Sequence, residues 1–178
     1  MHTWLVYKRQ GDDRYTRYDV IGWRNDKLIR KNYAPADGYW YGAVPHILVE
    51  YQGAKAQAMI PKLEAAVHSY PYPHTYHAWP GPNSNTFIAH IARQVPELAL
   101  NMPANAIGKD YRPLTQPVGR PPSGKGFQVS LLGLLGVSVG EQEGLEFNLL
   151  GMDLGINVSP LQLRLPFIGN IPKAASQH

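Results

Sequence analysis

Residues 79–90 read "WPGPNSNTFIAH". Two prolines and a glycine exclude regular structure up to Pro82, and an apolar helical pattern starts at once. Phe87, Ile88, Ile91, Ala92 and Val95 recur at three- and four-residue steps, which predicts a helix from about Ser84 to Val95 with one apolar stripe. Asn83 is a good cap type, and Ser84 falls in the first turn, where backbone N–H groups lack intrahelical partners.

Working outward, "PYPHTYHAWPGPN" is too proline-rich for helix or strand and reads as an ordered loop. Before it, Met59, Ile60, Leu63, Val67 and Tyr70 predict another helix over 53–70, with Pro61 in its first turn or kinking it. "HTWLVYK" and "RYTRYDVIGW" alternate β-branched and aromatic residues around "RQGDD", predicting a hairpin turning at Gly11 to Asp13. "HILVEY" (46–51) reads as a third strand. The expected class is α+β, a small antiparallel sheet packed on two main helices. Residues 113–126 read as a Pro/Gly-rich linker and 127–172 as a β-rich C-terminal extension of the core formed by 1–112.

In that extension "VSLLGL" and "FNLLGM" are copies eighteen residues apart. With "LQLRLPFIG" they suggest three strands, each LLG marking a bend or a close backbone approach. Leu131 to Val139 forms an apolar patch; the rest of this chain is its expected cover, ahead of a partner subunit or a membrane surface.

Hydrophobic residues make up 44% of the 178, enough for a core without metal or disulfide staples. The absence of cysteine removes disulfides, thiolate metal sites and thiol nucleophiles. Residues 1–60 carry nine Lys/Arg against six Asp/Glu, the bases (Lys8, Arg9, Arg14, Arg17, Arg24, Lys27, Arg30 and Lys31 among them) scattered as on a solvated sheet face. No motif for nucleic acid, phosphate or dinucleotide occurs, so no nucleic-acid partner and no cofactor are expected. No run reaches the ~18 apolar residues of a membrane-spanning helix. The chain opens without a charged leader, which fits a cytoplasmic protein, delivery without a leader, or a trimmed mature domain.

Ser84 is therefore either a helix-start residue or a nucleophile. A helix dipole is worth about 0.3–1 kcal/mol, too little to ionise an alcohol, so a catalytic serine needs a general base. Of seven histidines, His90 lies about 240° round the same helix, His74 and His77 sit in a loop, and His68 belongs to the other helix. His2 opens a strand, and the hairpin brings Asp19 beside it as the carboxylate that would fix the imidazole tautomer. The Asn83 side chain and the Ser84 N–H are candidate oxyanion donors and Asn85 a positioning residue, with capping and turn formation an equally good reading of both asparagines, while Tyr39, Trp40, Tyr41 and Trp79 could line a cleft or pack in the core. No metal site is expected, since His74 and His77 lack further ligands at suitable spacing.

The stretches "HTWLVYK", "RYTRYDVIGW", "DGYWYGA", "YPYPHTYHAWPGPNSNTFIAHIARQVPEL", "AIGKDY" and "LLGLLGVSVGEQEGLEFNLLGMDLGI" resemble the bacterial family known as domain of unknown function 3750, over essentially the whole chain. That family brings no activity. The order of a strand-borne His, a carboxylate on the next strand and N-[C/S]-N-T-F at a helix start is also similar to circularly permuted papain-like hydrolases. That resemblance implies Ser84 as nucleophile in the place usually held by cysteine, His2 as base and Asp19 as orienter. It further implies amide or ester cleavage or acyl transfer, with cell-wall peptides as substrate class and the cell envelope as location. A non-catalytic module for cell-wall polymer or lipid, with peripheral membrane contact, is the competing expectation; a delivered antibacterial toxin of the hydrolase type is a third.

Overall fold

The computed structural model describes residues 1–23, 27–158 and 161–172. Arg24 and His178 lie outside them. The N-terminal hairpin forms as its alternation predicts: β1 (Leu5–Tyr7) pairs antiparallel with β2 (Thr16–Val20) in the register Leu5 to Tyr18. The third strand is β3 (Ile29–Lys31), which pairs with β2. Residues 46–51 are not a strand: Ile47 and Leu48 are exposed, and the β3 segment that follows β2 directly has taken the edge they would need.

Side chains alternate across β2, so Tyr18 and Val20 face one way and Arg17 and Asp19 the other. Tyr18 and Val20, joined by Leu5 and Tyr7, pack with helix α1 (Gly53–His68) and helix α2 (Ser84–Gln94) in one core. Met59, Ile60, Leu63 and Val67 supply the α1 stripe; Phe87, Ile88, Ile91 and Ala92 supply that of α2. Pro61 sits inside α1, beyond its first turn. Because Arg17 is one of the most deeply buried side chains, the basic residues of the hairpin are not all on a solvated face.

The C-terminal part holds more strands than the three expected. Residues 118–158 and 161–171 form a seven-stranded antiparallel meander, strictly in sequence order. Its members are β4 (Val118–Gly119), β5 (Gly126–Leu131), β6 (Leu135–Gly140), β7 (Gly144–Leu149), β8 (Met152–Val158), β9 (Leu161–Leu165) and β10 (Gly169–Ile171). The Pro/Gly-rich stretch 113–126 is thereby tied down. It contributes β4, and Ser123 is buried with its N–H and hydroxyl both donating to Glu143.

This sheet turns its polar side inward. Gln128, Ser130, Ser138, Glu146, Asn148 and Asp153 are buried against the segment that follows α2. Asp153 N–H donates to Ala104 O, Arg164 Nη2 to Met102 O at 2.8 Å, and Ser130 Oγ to Asp110 O at 2.6 Å. The apolar side faces solvent. Leu131, Leu135 and Val139 are each about half exposed, so the rest of the described chain does not cover the patch they form. Among the described residues no helix is long and apolar enough to cross a membrane.

Candidate active site

The cap of α2 organises the site. Asn83 Oδ1 accepts from the N–H groups of Asn85 (2.9 Å) and Thr86 (3.2 Å), and Asn83 N–H donates to Thr86 Oγ1, a reciprocal capping box. Its amide donates to Ala78 O and Ile107 O. A side chain on residue 108 would collide with Asn83, with a Cβ only 2.4 Å from its amide nitrogen, and Gly108 also holds φ at +93°. Glycine is therefore required there for the cap to seat.

Asn85 is equally committed. Its amide donates to Ile107 O at 2.8 Å and reaches Met1 O at 3.5 Å, while its Oδ1 accepts from Thr3 Oγ1 at 2.9 Å. The two asparagine side chains are thus structural, as the capping reading has it, and Asn83 is not an oxyanion donor. One first-turn donor is left: among the described residues the Ser84 N–H has no partner. The Ser84 hydroxyl likewise makes no hydrogen bond among them, to His2 or to any other group, and the residue is 3% exposed.

His2 is held next to this turn from both sides. Met1 O meets Asn85, and Thr3 Oγ1 meets Asn85 Oδ1 and lies 3.4 Å from Ser84 O. The His2 ring itself turns toward Asp19, with Nε2 3.0 Å from Oδ1. It stacks on Trp40, ring centroids 3.7 Å apart and nearly parallel. Asp19 is fully buried and gripped by Arg17 with two hydrogen bonds, Nε to Oδ2 at 2.7 Å and Nη2 to Oδ1 at 2.8 Å. Arg17 lies over the Trp4 ring at 4.0 Å and donates its remaining Nη1 to Pro35 O. Burial alone would raise the Asp19 carboxyl, but the hydrogen bonds from His2 and Arg17 outweigh it and hold it below its ordinary value.

An ionised carboxylate only accepts, so Nε2 of His2 must carry the proton that Asp19 receives. Nδ1 of the neutral ring then keeps its lone pair. The arrangement supplies a tautomer-fixed base, an ion pair that fixes it, and a free N–H at the positive end of a helix. From sequence Arg17 is grouped with the solvated bases, and an arginine partner for Asp19 is the plain alternative to a catalytic role; "RYD" at i, i+2 on a strand places the two charges on one face.

A second polar cluster lies between the core and the large sheet. Lys109 Nζ is 2.9 Å from Asp110, 3.0 Å from Glu146 and 2.8 Å from Asp153, all buried, and Arg164 pairs with Glu146 from the other side. These three carboxylates could in composition hold a cation, and the Lys109 ammonium contacts all three. Burial and its anionic neighbours push Asp153 up to about 8, against the pull of Lys109.

Tyr39 is exposed and Trp79 donates its indole N–H to Leu150 O, whereas Trp40 stacks on His2 and carries Trp23 and the exposed Tyr41 on its other contacts. Of the four aromatic residues expected at a cleft, Trp40 therefore stands against His2.

A model for a protein family of unknown function, DUF3750, matches residues 1–111. The chain belongs to that family. No curated protein and no solved structure matches. The DUF3750 match takes in the hairpin, both helices, the capped turn and Lys109–Asp110, and stops before the seven-stranded sheet.

Proposed function

We propose that this DUF3750 chain is a serine-dependent hydrolase or acyltransferase acting on an amide or ester bond. One observation carries the reading: His2, with Nε2 committed to Asp19 and Nδ1 bare, is pinned by Met1 and Thr3 to the helix turn that bears Ser84. The papain-like comparison adds the order of the three residues, and peptides of the cell wall as a substrate class rest on that comparison.

In the proposed cycle Ser84 Oγ attacks the carbonyl carbon as His2 Nδ1 takes its proton. The oxyanion forms against the Ser84 N–H. Collapse breaks the bond to the leaving group, which receives the proton from Nδ1, and an acyl-serine remains. Water or another acceptor gives Nδ1 its proton and attacks the ester, and as the acyl–oxygen bond breaks Ser84 Oγ takes that proton back from Nδ1. Hydrogen bonds between base and nucleophile are often long before substrate binds and tighten in the complex. Asp19, kept ionised by Arg17, stabilises the imidazolium at each stage.

Hydrolysis of a p-nitrophenyl ester series should fall by about 10³-fold or more in Ser84→Ala, a change that leaves the cap intact. Equal rates in the two proteins would reject the reading. The tight packing of Ser84 and the commitment of both asparagine amides to capping favour a second one, a binding module in which His2, Asp19 and Arg17 only staple the hairpin. In that case Ser84→Ala leaves cell-wall binding unchanged and no product is released.

A further inference from the structure

The large sheet has its polarity inverted for a water-soluble extension. Along "FQVSL", "LGVSV", "LEFNL", "MDLGINV" and "LQLRL" the inward positions are polar or glycine, and each outward position is apolar. The register keeps the outward sets in line across the strands: Val137 faces Phe147, which faces Leu154, and Ile156 faces Leu163. Among the described residues no charged side chain interrupts that face.

The two ends of the sheet differ. At one end the β6–β7 connection is Glu141, Gln142 and Glu143, near exposed Lys125. At the other end all three connections are apolar: Leu132 to Leu134, Leu150–Gly151, and Pro166 to Ile168. Each places a large apolar residue at positive φ, namely Leu132 (54–66° range shared with the others, φ 56), Leu150 (φ 54) and Phe167 (φ 66). Hairpins with two positive-φ residues ordinarily take Asn-Gly or Asp-Gly, and a non-glycine residue there is strained. Leu-Gly stands twice where Asn-Gly would be easier. Leu150 is 55% exposed and Phe167 80%, so neither is retained for packing within the chain.

We infer that the outer face of this sheet and its apolar hairpin end dock into a lipid surface. The distribution of charge matches a bilayer: uncharged tips and face toward hydrocarbon, Lys125 and Glu141 at the aqueous end. The β5–β6 tip rests on Tyr111 and Arg112, whereas Leu150, Phe167 and Ile168 are open to solvent at this end, and a second copy laid face to face on the strands would leave them uncovered. Strands that span a bilayer need about 9–11 residues, and β8, the longest among the described residues, has seven. The sheet therefore sits in one leaflet and does not cross. Trp79, half exposed and bonded to Leu150 O, stands at the same end, where an indole is suited to the interface.

The test is flotation of the whole chain with phosphatidylcholine vesicles, in salt high enough to screen surface charge. The wild type should float with the lipid. The double variant Leu150→Asn, Phe167→Asn should lose about tenfold or more of its partitioning, since several buried methylenes are removed. Asparagine is favoured at positive φ, so its melting temperature should be unchanged or higher, which separates lost docking from lost folding. A wild type that stays in the aqueous fraction, a variant that floats equally well, or a lipid-free dimer that persists in the presence of vesicles would each overturn the inference, the last giving the face to a second copy.

Discussion

Asp19 shows how much one carboxylate does here. It fixes the His2 tautomer and neutralises a guanidinium that is 1% exposed. Asp19→Asn leaves Arg17 buried without its counter-charge, a loss of about 3–5 kcal/mol in such pairs. Since the native carboxyl titrates below its ordinary 3.8, its contribution is present above the unfolded value and disappears as pH falls through the native one. Denaturant unfolding should therefore show a wide gap between wild type and variant at neutral pH, narrowing below about pH 4. A gap independent of pH would mean that Asp19 is not the ionised partner. Much of this site was legible in the sequence: strand alternation and the hairpin bring Asp19 to His2, and N-S-N-T reads as a capped start. The partner of the two asparagine amides was not, because the carbonyl of Ile107 that takes both comes from a distant loop without periodicity.

At the scale of elements, α2 is a short helix whose first turn must be seated accurately for Ser84 to present anything. Gly108 makes that seat. Gly108→Ala forces a Cβ onto the Asn83 amide at a positive φ, and loss of a helix cap alone costs about 0.5–2 kcal/mol. Lower thermal stability with ester turnover reduced further than in a core variant of equal stability is the expected outcome. Turnover that simply follows stability would separate the cap from catalysis. The two helices and the first hairpin follow from period and turn chemistry. The third strand does not: "HILVEY" has a strand's composition yet stays irregular and largely exposed, while the shorter "IRK" of β3 gains its place by adjacency to β2. The LLG repeat, read from sequence as a bend, is a hairpin turn in both copies.

On the whole molecule, Lys109 joins the family-matched part to the sheet by holding Glu146 and Asp153. Burial would lower the Lys109 ammonium, but Asp110, Asp153 and Glu146 outweigh it and keep it charged. Lys109→Met removes the charge and leaves three buried carboxyls facing one another. Loss of about 3–5 kcal/mol is expected, or roughly 6–20 °C in melting temperature for a chain of this size, with early proteolysis in the large sheet. An unchanged melting curve would show that the sheet is held by its backbone contacts to Met102 and Ala104 instead. This network was invisible in the sequence because its acids and bases are scattered over residues 109–164 and gather only when a sheet presents its polar side inward.

The central claim, that Ser84 is an alcohol activated by a tautomer-fixed His2, is tested most directly by intact-mass and peptide mapping after treatment with a fluorophosphonate. A single phosphonyl group on Ser84 is expected in the wild type, absent in Ser84→Ala and formed at least about a hundredfold more slowly in His2→Ala. No adduct in the wild type, or labelling of Ser84 at the same rate without His2, would contradict it.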